Sequence, residues 1–240
     1  MTDRIDDLVA SLDSLVRRGR GRWTRSACGV TRSEREIPAL LDGDAYVPAT
    51  SRARVLLVSG LSGRPDDVAQ AVRALGVFAA GGPQLASEIA LSAVPCGNPD
   101  GLAADAGPGN GAGGDPSTGY PREGNYFHDQ QNPETRHLWR WVGFQAPDLV
   151  LELRSGNHTR WEANQSAGLM APAVGAMPLR DDGSLLAALG TGNPNGLGAI
   201  PGLRLTAPAH HVSGELGRLW SLVTQFPDWG PSPARHALDS

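Results

Sequence analysis

A serine in a tight turn after an apolar segment is the first candidate for chemistry in this sequence. Ser59-Gly60-Leu61-Ser62-Gly63 follows the apolar run from Val55 to Val58, and a strained turn between a strand and a helix can expose a serine nucleophile. Arg64 stands where that motif requires glycine. A catalytic Ser62 would also need an acid and a base, for which the sequence offers Asp148 or Asp181 with His210 or His211. The alternative is a plain glycine turn whose backbone N–H groups face an anion.

Two pairs of side chains are candidate metal ligands. His158 and Glu162 are four residues apart, which on a helix would place both on one face, and His128 is followed by Asp129. The chain has six histidines: His128, His137, His158, His210, His211 and His236. Polar residues in surface loops are the alternative interpretation of these pairs.

Arg154 ends an apolar run from Leu149 to Leu153 that is typical of a buried strand. Ligands of α/β proteins bind at the carboxyl ends of the strands, where a guanidinium can hold a carboxylate through two hydrogen bonds. Arg64 would lie near the same opening. The alternative is a structural ion pair of Arg154 with Asp100 or Glu152.

These residues need a sheet and helices to position them. Apolar, β-branched runs predict buried strands at 54–60, 89–95 and 149–153, and 200–206 is a fourth strand candidate that is weakened by Pro201. Helical spacing predicts helices at 5–16, 66–78, 133–144, 184–189 and 216–226, the last with Ser213 near its start. Alternating strands and helices predict one α/β domain over 1–240, with a mainly parallel or mixed central sheet and helices on both faces. The Gly-rich tract 102–119 is predicted to be a flexible loop, and the segment 20–49 is predicted to form short strands and turns.

Three segments in order resemble the zinc carboxypeptidase family. The first is the turn Gly60 to Asp67, and the second is Asn98-Pro99-Asp100-Gly101 with the later Gly119-Tyr120-Pro121 and Gly124-Asn125-Tyr126-Phe127. The third is Pro133-Glu134-Thr135 at a helix start followed by 146–153. The resemblance covers about 54–155, and Asn-Pro-Asp-Gly is its one sharp motif. It supports the α/β fold predicted above, and it implies that the segment 231–235 is a connector and that the final strand and helix of the family fold are missing.

The resemblance implies a zinc site whose three ligand positions fall on Ser62, Pro65 and Arg154. Serine is a poor substitute for histidine, proline has no side-chain ligand, and arginine brings a positive charge. The family's downstream general base and its substrate-binding arginine also have no clear counterpart: after Glu162 the only glutamate is Glu215, and no arginine lies between Gly101 and Arg122. We therefore predict a carboxypeptidase-like protein that has lost zinc-dependent hydrolysis and needs no cofactor. It would bind a small carboxylate or peptide-like ligand through Arg154, Ser62, Asn98, Asp100 and Arg64. The alternatives are an active metallocarboxypeptidase or amidohydrolase with a relocated metal site, and a serine-dependent esterase or amidase that uses Ser62.

Composition limits the other classes of function. The formal net charge is −4 and the pI is about 5.8, which disfavours nucleic acid as a partner. All 21 basic residues are arginine, which excludes Schiff-base chemistry on lysine. Cys28 and Cys96 are predicted to be small buried side chains. The start of the chain has no signal-peptide pattern and no apolar run approaches the roughly 18 residues of a membrane span, so the expected location is the cytoplasm.

Overall fold

The computed structural model describes residues 4–19, 21–47, 50–105, 107–121, 129–192 and 198–225. They form one eight-stranded mixed sheet in the order β1-β2-β4-β3-β5-β8-β6-β7. The strands are β1 (Trp23–Val30), β2 (Glu36–Asp42), β3 (Ala53–Ser59), β4 (Ile89–Val94), β5 (Leu149–Ser155), β6 (Arg160–Ala163), β7 (Met177–Pro178) and β8 (Gly202–Ala207). The helices are α1 (Arg4–Arg18), α2 (Pro65–Ala80), α3 (Gly82–Glu88), α4 (Pro99–Ala104), α5 (Pro133–Gln145), α6 (Met170–Val174), α7 (Leu185–Leu189) and α8 (Ala209–Gln225).

The centre of the sheet consists of the four strands that the apolar runs predict. β4, β3, β5 and β8 are neighbours and run parallel. Every residue of β4 is buried, and so are Val55 to Ser59 of β3. A strand that is covered on both faces has a nearly continuous apolar sequence, and this is why the positions of these strands could be predicted.

Helices cover both faces of the sheet, as predicted. One face packs against α1, α2 and α8 and includes the aromatic cluster of Trp23, Phe78 and Trp220. The other face packs against α5 and α7, with Trp139 fully buried. Cys28 and Cys96 are buried and unbridged, which confirms their predicted environment.

Asn-Pro-Asp-Gly forms a helix start rather than a simple turn. Asn98 is the N-cap of α4 and its Oδ1 accepts a hydrogen bond from the Gly101 N–H at 2.8 Å, while Pro99 occupies the first helical position, where its missing N–H costs nothing. The preceding turn packs directly on this helix: a Cβ at Gly63 would lie 2.8 Å from the carbonyl carbon of Gly101. Gly63 also has a φ of 68°, which favours glycine.

Two other parts of the chain differ from the predictions. The region 20–49, predicted as short strands and turns, holds the full antiparallel hairpin β1–β2 at one edge of the sheet. The last helix begins at Ala209, well before Leu216, so His210 and His211 lie in its first turn.

The segments 122–128 and 226–240, which contain part of the family resemblance and the predicted connector, lie outside the described residues. No helix of the described chain is long and apolar enough to cross a membrane.

Glu134 is buried in the first turn of α5, and its burial leads to a testable prediction about stability. Its Oε2 accepts a hydrogen bond from Asn110 Nδ2 at 3.0 Å, but its buried Oε1 has no partner among the described residues. Burial raises the pKa of Glu134 above its ordinary value, and nearby Asp100 adds to the effect. The raised pKa means that the folded state retains the proton to a higher pH than the unfolded state. Stability is therefore lost as the pH rises through the pKa of the folded protein.

Glu134→Gln is expected to raise the melting temperature at pH 7 by about 2–4 °C, equivalent to about 1 kcal/mol. The gain should shrink as the pH falls below the ordinary pKa of a glutamate, because the native side chain is then neutral in both states. Thermal unfolding between pH 4 and 8 measures this, with Glu34→Gln in an exposed turn as the control. A variant that is less stable than the native protein at pH 7 would contradict the prediction.

Candidate functional site

A cleft of about 190 Å³ lies at the carboxyl ends of β3 and β5. The turn after β3 forms one wall and the end of β5 forms the other. The lining residues are Ser59, Gly60, Leu61, Ser62, Arg64, Asp67, Pro108, Ser117, Glu152, Leu153, Arg154 and Ser155. The structure therefore brings together three of the predicted site residues, Ser62, Arg64 and Arg154.

A carboxylate that the sequence did not single out connects the two walls. Ser62 Oγ donates to Asp67 Oδ2 at 2.5 Å, and the Ser155 N–H donates to Asp67 Oδ1 at 2.6 Å. The Ser155 hydroxyl donates to the same oxygen. Asp67 is buried in the first turn of α2, where the helix dipole favours a negative charge. This Ser62–Asp67–Ser155 bridge ties the turn after β3 to the end of β5.

Arg154 is held at one nitrogen and available at the others. Its Nε donates to Oε1 of the buried Glu152, which is one of the two ion-pair partners that the sequence suggested. Asp100, the other, does not pair with it. The side chain is 35% exposed and lines the cleft. The terminal nitrogens of Arg154 have no hydrogen-bond partner in the described chain, so they are available to a ligand.

Behind Arg154 lies a row of buried charges across three strands. Arg204 on β8 is paired in register with Glu152 on β5 and with Glu162 on β6. Its Nε donates to Glu152 Oε2 at 2.9 Å, and Nη1 lies 3.3 Å from Asp182 Oδ2. Burial lowers the pKa of Arg204, but the charges of Glu152, Asp182 and Glu162 outweigh burial and raise it above the usual value. The row fixes the Glu152 carboxylate, and with it the position of Arg154.

Asn98 and Asp100 do not line the cleft. The Asn98 side chain is fully buried and bonds to Gly101 N and to the carbonyl oxygens of Pro108 and Gly109. Asp100 Oδ2 accepts from the Ser33 N–H at 3.2 Å, and Oδ1 lies 3.4 Å from Nε of Arg35. These contacts stabilise α4 against the β1–β2 hairpin. The two side chains do not join Ser62 and Arg154 in the cleft as expected, because Asn98 caps α4 and Asp100 bonds to the loop between β1 and β2.

Ser62 has no histidine beside it among the described residues. Its hydroxyl donates to a carboxylate, Asp67. The proposed triad residues lie elsewhere: Asp148 bonds to Arg54 at the opposite end of the sheet, and His211 Nδ1 lies 2.7 Å from Thr159 Oγ1. The described geometry gives no support to a serine–histidine mechanism.

The residues at the expected zinc positions do not fit the metal. The Ser62 hydroxyl is committed to Asp67, Pro65 has no ligand atom and begins α2 on the surface, and Arg154 places a cation in the cleft. Within the described ranges, no group of three or more His, Cys, Asp or Glu side chains could hold a metal ion. No catalytic step through zinc can therefore be built on these residues.

The spacing of His158 and Glu162 suggested a metal-binding pair on one face of a helix. In the structure the two residues do not lie on a helix. His158 lies in an exposed turn, whereas Glu162 lies in β6 and accepts a hydrogen bond from Arg160 at 3.2 Å. The Glu162 carboxylate also lies 3.8 Å from Arg204 Nη1. His128, the other predicted ligand, lies outside the described residues, so that pair stays a prediction.

The sequence matches no protein-family model and no curated protein. Its structure, in contrast, is similar to several solved proteins. One from Shewanella baltica OS155, assigned as a metallopeptidase, has a TM-score of 0.69 and 14% identity, with 92% of each chain covered. A metallo-carboxypeptidase from Burkholderia cenocepacia has a TM-score of 0.67 and 13% identity over 91% of this chain and 67% of that one. Bovine thrombin-activatable fibrinolysis inhibitor, solved with tick carboxypeptidase inhibitor, has a TM-score of 0.59 and 10% identity over 98% and 96%. The protein therefore has the α/β fold of the metallocarboxypeptidases.

Proposed function

We propose that this carboxypeptidase-fold protein binds a small carboxylate or peptide-like ligand in its cleft and lacks zinc-dependent peptide hydrolysis. The observation that carries the proposal is Arg154. It stands at the expected place of a metal ligand, is anchored through Nε to Glu152, and keeps its terminal nitrogens available in the cleft. A planar guanidinium in this arrangement is suited to a carboxylate.

The rest of the cleft is consistent with a small anionic ligand. The exposed Arg64 lines the same cavity and adds a second positive charge. The cavity, about 190 Å³, is smaller than the roughly 300–1,000 Å³ of sites for drug-sized ligands. The carboxyl-terminal part of a short peptide or a simple organic acid would fit it better than a long peptide.

Hydrolysis of a peptide bond needs a group that polarises the carbonyl and activates a water molecule. The donor set at Ser62, Pro65 and Arg154 cannot hold the metal that would do both. Asp67, the carboxylate nearest to Ser62, already accepts three hydrogen bonds from Ser62 and Ser155. Binding without turnover is the function that these side chains support best.

Metal content tests this proposal directly. We expect the purified protein to retain no zinc after dialysis against metal-free buffer, as measured by mass spectrometry of the metal. The combined variant Ser62→His, Pro65→Glu, Arg154→His should gain zinc affinity, because it restores three nitrogen and oxygen ligands at the ends of β3 and β5. This variant serves as the positive control for the geometry.

One zinc ion per native chain, lost together with peptidase activity on chelation, would overturn the proposal. Failure of a folded triple variant to bind zinc would show instead that the cleft is not arranged as in the metallocarboxypeptidases. N-acetylated amino acids, titrated by calorimetry, provide the accompanying ligand test. Absence of any binding would leave the cleft without the proposed role.

A further inference from the structure

A second cavity, of about 720 Å³, lies at the opposite end of the sheet from the cleft. It is bordered by the end of α1, the end of β2, the start of β3 and the junction of α2 with α3. Its lining residues are Arg18, Gly19, Gly21, Arg22, Asp42, Gly43, Arg52, Ala79, Gly82, Pro83 and Ala86. Three arginines on one cavity are notable in a chain with a net charge of −4.

Arg22 presents a positioned guanidinium without a carboxylate partner in the described chain. Nη1 and Nη2 donate to the carbonyl oxygens of Phe78 and Gly82, both at 3.3 Å. The guanidinium carbon also lies 5.1 Å from the Phe78 ring centre and 5.8 Å from that of Trp23. These neutral partners fix the side chain without forming an ion pair, so an anion in the cavity would meet a preorganised cation.

Asp42 opposes an anion only weakly here, because both of its oxygens are paired with Arg52. Nη1 and Nη2 of Arg52 donate to the two oxygens of Asp42 at 2.7 and 2.9 Å. Arg52 also lies 3.1 Å from Asp44. Arg18 is exposed and donates through Nε to the Ser14 carbonyl oxygen at 3.4 Å, and it forms no ion pair among the described residues. Among the described lining residues, the net positive charge therefore comes from Arg18 and Arg22.

The remaining wall of the cavity is small and apolar. Ala79, Pro83 and Ala86 form one side, and Gly21, Gly43 and Gly82 leave the backbone accessible, since a Cβ at any of these three glycines would meet nothing within 4 Å. The volume of about 720 Å³ falls within the roughly 300–1,000 Å³ that small-molecule sites have. Arginine is favoured for phosphate because it offers two parallel N–H donors.

We propose that this cavity binds a phosphate-bearing small molecule of nucleotide size, with phosphoryl oxygens on Arg18 and Arg22 and the organic group against Ala79, Pro83 and Ala86. The site is separate from the cleft and does not depend on the function proposed for it. Calorimetric titration of the full chain with ADP and with pyrophosphate tests the proposal at low and at physiological salt. Binding of ADP is expected, weaker at higher salt because the arginines are partly exposed.

Two variants locate the site. Arg18→Gln and Arg22→Gln are each expected to weaken ADP binding by about tenfold, the effect of losing a charge-assisted contact. Arg17→Gln removes the same charge from the same turn of α1, but Arg17 does not line the cavity. This variant should therefore leave the affinity for ADP within about twofold of the native value. Arg154→Gln, in the distant cleft, should also leave it unchanged. Circular dichroism confirms that each variant is folded.

Absence of ADP and pyrophosphate binding would overturn the proposal. An equal loss in Arg17→Gln would show a general effect of charge and would also overturn it, as would a loss in Arg154→Gln, which would place the phosphate in the cleft. Equal affinity for ADP and pyrophosphate would overturn the role given to the apolar wall. Tighter binding of ADP than of pyrophosphate would support that role.

Discussion

Glu152→Gln is expected to lower the free energy of unfolding by about 3 kcal/mol, because it removes the main counter-charge of the buried Arg204. Glu152 and Arg204 are 1% and 4% exposed, so water cannot replace the lost partner. Asp182 and Glu162 also lie within ion-pair distance of Arg204. The loss of stability should therefore lie at the lower end of the roughly 3–5 kcal/mol that breaking a buried ion pair costs. Denaturation by urea, monitored by circular dichroism, measures the change.

A double variant separates the pair from simple packing. Glu152→Leu with Arg204→Met replaces both charges by apolar groups of similar size and should recover much of the stability that Glu152→Gln loses. Arg4→Ala breaks an ion pair whose side chains are 47% and 71% exposed, and it should cost less than about 1 kcal/mol. If Glu152→Gln were as mild as Arg4→Ala, the charge row would not be structural in the way described.

The central strands could be predicted from the sequence because they are buried on both faces. Val55 to Val58 and Leu149 to Leu153 are nearly continuous apolar runs, and each lies where it was predicted. The β1–β2 hairpin could not be predicted in the same way, because β1 is an edge strand with several exposed positions and no clear apolar run. Asn98 begins a helix because Asn-Pro is well suited to capping one.

The cleft was only partly predictable. Ser62 and Arg154 end or follow recognisable strands, and the parallel sheet brings them to one edge. Asp67 could be placed in the first turn of a helix, but its partner Ser155 is 88 residues away, and no local pattern indicates that contact. A carboxylate at N3 of a helix is common without any function.

The row of buried charges formed by Glu152, Arg204 and Glu162 could not be predicted, because it depends on the order of the strands in the sheet. β6 follows β5 in sequence, yet β8 lies between them in the sheet. Arg204 is thereby inserted between Glu152 and Glu162. The sequence shows at least one charged residue within each of these three strands, and that signal could have indicated the row of buried charges. Their pairing depends on register, which sequence periodicity alone does not determine.

Arg154→Ala is expected to weaken binding of a carboxylate ligand by about tenfold to hundredfold, equivalent to about 1.5–3 kcal/mol for a hydrogen-bonded charged contact. The reason is that the terminal nitrogens of Arg154 have no other partner in the described chain and line the cleft. N-acetylated amino acids are the probe, and calorimetry measures their affinity. Arg154→Lys should recover only part of the loss, because it keeps the charge but not the two parallel donors.

The stability of the same variant distinguishes a ligand role from a structural one. Glu152 retains its bond to Arg204 when Arg154 is removed, and Arg154 is 35% exposed. The cost in stability should therefore stay near 1 kcal/mol or below. Arg160→Ala is the matched control: Arg160 and Arg154 are both paired in register with Thr206, but Arg160 does not line the cleft. Affinity should fall for Arg154→Ala and not for Arg160→Ala, whereas a loss of melting temperature with unchanged affinity would assign Arg154 to the structure alone.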